Sequence, residues 1–466
     1  MTINHPNATV HPFSIPDLRN TIQGEVIAPE DDGYEKRRTV FYGKFDRRPA
    51  VIVRPANAAD VAAVVSLARE SGVELAVRSG GHSITGHSTT AGGILLDLSL
   101  MKAIDIDVEG RTAWAEAGLT AGEYTEAVGK HGLATGFGDT GSVGIGGLTT
   151  GGGVGFLVRK YGLTIDHLLA AEIVTADGEI RHIDADNHPD LFWAIRGGGG
   201  NFGVITRFQF RLYPVDTIVG GMMVLPAEPD VIASLIAEAD AAPEEFSMIA
   251  NMMVAPPMPF LSAEHHGKLI ILLLAAYVGD VDRGEAVFAP FRALGTLVDM
   301  VKPMPYPVLY QFMEADVGPQ QEVARSFFMD RIDRDVAATI VEHLQASKAM
   351  VSVAQFRPLG GAMARVPAEA TAFAHRNRRY MAVLGAVYED AAETPQHEAW
   401  VNAFAAALRQ GEAGVYVNFL SNEGEARIHE AYPGETWKRL AAVKARYDPT
   451  NLFRLNQNIP PAAQGA

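Results

Sequence analysis

Two stretches of the chain combine residue types that could do chemistry. In Arg78-Ser79-Gly80-Gly81-His82-Ser83, two glycines permit a tight turn that projects the His82 imidazole into a ligand cavity. Further on, Gly138, Gly141, Gly144, Gly146, Gly147, Gly151, Gly152, Gly153 and Gly155 crowd a window whose other members are mostly small or β-branched. Glycine there lets backbone N–H groups approach a ligand closely. Successive N–H groups facing one way form an anion nest, for which a pyrophosphate is the obvious guest. A flexible linker is the competing reading, but linkers are rich in serine and polar residues, whereas Val143, Ile145, Leu148, Val154, Phe156 and Leu157 interleave here. The segment therefore reads as packed, phosphate-cradling backbone. A lone histidine is usually structural; beside such a segment His82 becomes a candidate for chemistry. A metal centre is not supported. Neither the His82/His87 spacing nor the His265-His266 pair matches His-Glu-x-x-His, and there is no cysteine to assist.

The elements that must position these residues are legible around them. Ala50 to Pro55 reads as a short strand, followed by a helical pattern through Val61, Val64, Val65, Leu67 and Ala68 that ends at Gly72. A second strand, Glu74 to Val77, leads straight into the Gly-Gly-His turn. Ile94 to Leu98 and Ala113 to Ala117 read as further strands, and Thr120-Ala121-Gly122-Glu123 has capping-box spacing for a helix. Ala170 to Thr175 and Ile180 to Ile183 flank an Asp177-Gly178-Glu179 hairpin signal. The second glycine cluster, Arg196 to Gly203, formally contains Gly-x-Gly-x-x-Gly. The next run, Val204 to Leu212, alternates as a strand should, so a dinucleotide fingerprint that opens a helix is rejected. Close backbone approach to some other phosphate-bearing cofactor remains. From about Val215 glycine thins and prolines punctuate, with strand-like runs at Met248 to Val254 and Leu269 to Val278 and a helical one at Val336 to Gln345. Near the end, Val415 to Phe419 is a strand candidate and Trp437 to Tyr447 a helix, stopped by Asp448-Pro449. The run Phe453 to Asn458 is polar where fraying would be expected.

With 466 residues, 48% of them hydrophobic, the chain can bury sizeable cores and suggests two to three units. Acidic residues outnumber basic ones by 55 to 39, for a net charge of −16, which argues against a nucleic-acid face or a polybasic membrane surface. The absence of cysteine removes disulfides, thiolate metal sites and a cysteine nucleophile. No signal-peptide pattern opens the chain, and Leu269 to Val278 is too short to span a bilayer, so cytoplasm is the expected compartment.

The Arg78 to Ser83 turn, the segment ending Gly151-Gly152-Gly153-Val154-Gly155, the Asp190 to Gly203 run, and the closing Tyr447 to Phe453 with Asn456-Gln457-Asn458 together resemble the berberine bridge enzyme-like flavin oxidases, over nearly the whole chain. The resemblance implies an α+β fold: a two-part FAD-binding domain of the vanillyl-alcohol-oxidase (PCMH) type, residues 1–214 and 413–466, with an α+β substrate domain, 215–412, inserted between. It implies FAD, linked covalently through His82; a neutral imidazole can add to the quinone-methide tautomer of the flavin. A noncovalent flavin is the fallback. The second, cysteinyl link of many members is impossible here, because Thr140 stands where the cysteine would. The expected cofactor contacts are Arg78, Ser79, Gly80, Gly81, Ser83, Gly86, His87, Thr140, Gly141, Val143, Gly144, Gly147, Gly151, Gly152, Gly155, Gly200, Asn201, Gly203, Val204, Tyr416, Asn418, Asn456 and Asn458.

Val143 matches a family position that, when valine, leaves room for dioxygen beside the flavin; an apolar packing role is the alternative. The implied activity is oxidation of a C–O or C–N bond of a small metabolite, with dioxygen reduced to hydrogen peroxide. A dehydrogenase using another acceptor, or a flavin-binding protein without turnover, are the other readings. Catalysis needs a base for the substrate O–H or N–H. Gln355 stands where some members hold a glutamate base, and an amide cannot serve as one. Arg357 shares its face if Val353 to Arg357 is a strand. Tyr416, in a Tyr-x-Asn motif, is then the candidate base or proton relay, set against a core tyrosine with a satisfied hydroxyl. Expected partners are a small-molecule substrate and dioxygen, with neither nucleic acid nor membrane, and the chain is expected to be a monomer or homodimer.

Overall fold

The computed structural model describes residues 13–313 and 320–463. The mixed α+β architecture expected from the sequence is the one observed, organised in three principal sheets. In the first, Val51–Arg54, Ile94–Asp97 and Leu75–Arg78 run parallel, with Glu25–Ile27 as an antiparallel edge. The helix Ala58–Ser71 makes the crossover. The Asn57 side chain caps its first turn, and Val61, Val64, Val65 and Ala68 form one buried stripe against the sheet. Because the strands are parallel, the chain leaves Leu75–Arg78 at the carboxyl edge of the sheet, where open α/β sheets bind ligands, and it leaves as the Ser79 to Ser83 turn.

The second sheet is antiparallel, in the order Ile104–Asp107, Thr112–Glu116, Val204–Arg211, Leu168–Val174, Ile180–Asp184. The second glycine cluster does open a strand, Val204–Arg211, rather than a helix. The capping box at Thr120 and Glu123 is formed and starts the helix Ala121–Gly129.

Between Thr217 and Leu408 the chain builds an eight-stranded antiparallel sheet. Alternation divides its faces. Val219, Met223, Phe246, Met248, Ala354 and Phe356 pack on the helices Pro229–Ala241, Val281–Arg292, Arg334–Ala346 and Thr394–Leu408. Ile218, Met222, Ile249 and Leu274 join the core of the first half instead. Asn251, Gln355 and Arg357 fall on this second parity, so the sheet turns its polar residues toward the glycine-rich half.

From Val415 the chain returns to the first half. The strand expected over Val415 to Phe419 is absent: Val417–Phe419 is a short 3-10 turn. Its β-favouring residues find no ladder partner, and the Asn418 amide binds the Leu148 carbonyl at 3.1 Å instead. The closing run does not fray. Lys444, fully buried, donates to Asp448 Oδ2 at 2.6 Å and to the Asn201 and Phe453 carbonyls at 2.7 and 3.2 Å. Asn201 in turn binds the Gln457 carbonyl and the Ile459 N–H.

Candidate functional site

A cavity of about 490 Å³ lies where the Gly-Gly-His turn, the glycine segment, the large sheet and the returning segment meet. Ser79, Gly80, Gly81, His82, Ser83 and His87 line it from the first sheet, and Thr140, Val143, Gly144 and Gly147 from the glycine segment. Gly200, Asn201 and Gly203 line it from the second glycine cluster, Arg357 from the strand Val351–Pro358, and Tyr416, Asn418 and Asn456 from the returning segment. Residues far apart in sequence are thus brought to one wall, and backbone packing explains how. A Cβ on Gly80 would come within 2.2 Å of the Gly144 nitrogen, so the two segments interlock only as glycine on glycine.

Nine residues named from the sequence stand behind that wall. Arg78 is buried in an ion pair with Asp97 at 2.7 Å and also donates to the Arg37 and Thr39 carbonyls, which anchors the connection between the strands Glu25–Ile27 and Val51–Arg54. Gly86 packs on the Phe45 ring, and Gly141 accepts from the Gly122 N–H. Gly151, Gly152 and Gly155 leave room for Asn418, Tyr416 and the Phe137 carbonyl. Val204 is a buried strand residue. Asn458 has a buried amide oxygen with no hydrogen-bond partner among the described residues. Gln355 accepts from Arg357 Nε and Nη2 at 3.0 and 2.8 Å and donates to Asn251 Oδ1 at 2.7 Å.

The His82 ring stacks on Phe41, with centroids 4.0 Å apart and planes 23° apart. Burial lowers its pKa to about 4, against a backbone hydrogen bond at Ser142 that works the other way, so the imidazole is neutral near pH 7. His87 is lowered to about 4 chiefly by burial too, and its Nδ1 lies 2.9 Å from Thr85 Oγ1. Tyr416 is buried, and its hydroxyl oxygen accepts from the Gly153 N–H at 2.8 Å and from Asn418 Nδ2 at 2.9 Å. Desolvation pushes its pKa up to about 12, outweighing those two donors and the nearby Arg357 charge, so near neutral pH the phenol keeps its proton.

Sequence reasoning missed Asp139 and the aromatic residues Phe41, Tyr42 and Tyr432, all of which line the cavity. Asp139 Oδ2 lies 2.5 Å from Arg357 Nη2. It sits inside the Gly138 to Gly144 motif, but nothing in the local pattern marks it. Only its pairing with a distant arginine in an apolar wall does.

Comparison with known proteins accords with this geometry. Residues 49–184 match the FAD binding domain family and residues 415–460 the family described as berberine and berberine like. The chain is 34% identical over 457 residues to (R)-6-hydroxynicotine oxidase of Paenarthrobacter nicotinovorans, covering 95% of this chain and 97% of that protein. It is 31% identical over 456 residues to an uncharacterized FAD-linked oxidoreductase of Bacillus subtilis (strain 168), covering 95% and 98%. The crystal structure of 6-hydroxy-D-nicotine oxidase from Arthrobacter nicotinovorans superposes with a TM-score of 0.84 at 30% identity, over 95% of this chain and 98% of that one. Chitooligosaccharide oxidase shares the fold, with a TM-score of 0.83 at 23% identity over 96% and 100%. Similar to these oxidoreductases over almost its whole length and built on the same FAD-binding fold, the chain belongs to the berberine bridge enzyme-like FAD-linked oxidoreductases.

Proposed function

We propose that this enzyme is an oxidase joined to FAD through His82, which oxidises a C–O or C–N bond of a small metabolite and uses dioxygen as acceptor. The observation that carries the reading is the neutral His82 imidazole at the wall of a cavity that all four sequence motifs help to build. The residues present suit the cofactor. Gly147 is exposed at the cavity wall and a Cβ there would meet nothing within 4 Å, so the space beside it is open to a ligand in the cavity. Ser88 Oγ, in the same wall, is buried without a partner among the described residues. Held in this cavity, FAD would supply the hydride acceptor for the substrate and the route by which its electrons reach dioxygen.

The chain's own residues bind and orient. Glycine-lined backbone offers N–H groups to the pyrophosphate, and Asn456 offers its amide to the flavin side of the cavity, while Asn418, both of whose amide hydrogens are engaged by Leu148 and Tyr416, has only its carbonyl oxygen to offer. His82 is held neutral, the form able to bond to the flavin. Val143, partly buried and small, lines the wall and supports access for dioxygen. Thr140 leaves the link single.

The test is acid denaturation followed by separation of polypeptide from free flavin. Yellow flavin should stay with the wild-type chain and leave His82→Ala. Release from both would overturn the covalent link. Anaerobic mixing with (R)-6-hydroxynicotine and a panel of alcohols, aldoses and secondary amines should bleach the flavin, and air should restore it within the turnover time. Bleaching that persists in air would overturn dioxygen as acceptor.

A further inference from the structure

Arg357 is buried and ion-paired with Asp139, yet its aligned hydrogen bonds go to Gln355 and the Val154 carbonyl rather than to that carboxylate. Its Nε and Nη2 groups both donate to Gln355 Oε1, which is fixed in turn by Asn251, its direct cross-strand neighbour. Asp139 lies 2.5 Å from the guanidinium, but its Oδ2 has no aligned hydrogen bond among the described residues. The other oxygen, Oδ1, accepts only the Thr140 hydroxyl, at 3.0 Å. A carboxylate offers about four lone-pair positions, so this one keeps unused acceptor capacity at the edge of the cavity. Tyr416 is the reverse case. Two N–H donors occupy its oxygen, so what it has left to offer a ligand is its proton.

Building on the oxidase reading, we propose that Asp139 is the catalytic base: its carboxylate takes the proton from the substrate O–H or N–H, Arg357 and Gln355 position it, and Tyr416 donates a hydrogen bond to the same substrate atom. The step balances. The substrate gives one proton to Asp139 and one hydride, with its electron pair, to FAD, and its C–O or C–N single bond becomes double. The charged and titratable groups facing Asp139 are Arg357 from the strand Val351–Pro358, Tyr416 from the returning segment, Tyr310 from the 3-10 helix Tyr306–Met313, and Tyr42 from the connection between the strands Glu25–Ile27 and Val51–Arg54. Arg357 alone among these is cationic, and its Nη2 lies 2.5 Å from Asp139 Oδ2.

Two measurements test this. In the first, flavin reduction is followed in stopped flow with whichever panel compound bleaches the wild type fastest. Asp139→Asn should lower the rate by about 10²–10⁴-fold and abolish the rise in rate with pH that ionisation of a base produces. Asp139→Glu should keep that limb. The double variant Asp139→Asn, Arg357→Met removes both charges; it should stay slow, whereas recovery would show that the aspartate only balances the arginine and would overturn the proposal. The second needs no turnover. 4-Nitrophenol, whose absorbance reports its own ionisation, should bind the wild-type holoprotein as the phenol, donating to Asp139, and bind Asp139→Asn as the phenolate beside an uncompensated Arg357. The same form in both proteins, or binding to neither, would overturn the assignment. If no panel compound bleaches the wild type, the oxidase reading fails on its own account and the 4-nitrophenol result still decides the role of Asp139.

Discussion

The N–H groups of Gly153 and Asn418 converge on the Tyr416 oxygen and leave its proton as the only hydrogen-bonding capacity it can present to a ligand. Tyr416→Phe removes that donor and strands both N–H groups. The expected effect on flavin reduction is about tenfold, the worth of one hydrogen bond of about 1.4 kcal/mol, with the flavin still bound. An unchanged reduction rate would return Tyr416 to a packing role. At this scale the sequence was most informative where a residue type has one purpose in its setting. His82 and Thr140 are such cases: the motifs that singled them out both reach the cavity wall. It was least informative for Asp139 and Asn251. Each looks like an ordinary loop or strand residue until folding sets it against Arg357 or Gln355.

Among the elements, the glycine segment separates two kinds of constraint. At Gly80 the missing side chain is needed for the fold itself, because backbone from another segment fills the space. At Gly147 nothing fills it. Gly147 lies in the short helix Ile145–Gly151, so Gly147→Ala is expected to fold, with apoprotein stability raised by about 0.5–1 kcal/mol through the helical preference for alanine, and to bind flavin more weakly. Flavin content on purification and the apoprotein melting curve check the two halves of that statement. If Gly147→Ala instead melts early with full flavin content, the space beside Gly147 is not cofactor space. Strands and helices were legible from alternation and capping because their local preference agrees with their packing. Val415 to Phe419 was misread as a strand because its apolar alternation serves a turn clamped by Asn418, a contact made with the distant Leu148.

Over the whole molecule, the apolar residues of the large sheet that join the first half's core bind the two halves through a continuous hydrophobic seam, which works against rocking of one on the other. Burial also leaves a pH signature. His87, His167 and His375 are each lowered to about 4 from the ordinary histidine value of 6.5, chiefly by desolvation. Between those values the unfolded chain binds protons that the folded one refuses. Stability is therefore full above about 6.5 and falls as the pH drops, by up to about 1.4 kcal/mol per pH unit for each histidine. Melting temperature should decline already between about pH 6.5 and 5, before most carboxylates titrate, and a flat profile there would contradict the burial of these rings. The wall of the cavity has a consequence in time as well as in space. Its first residues, His82 and the glycine segment, leave the ribosome long before Tyr416, Asn418 and Asn456, and the whole large sheet is synthesised in between. The cavity therefore cannot close until the last segment is made, and any chain released before Val415 carries an open, unfinished site.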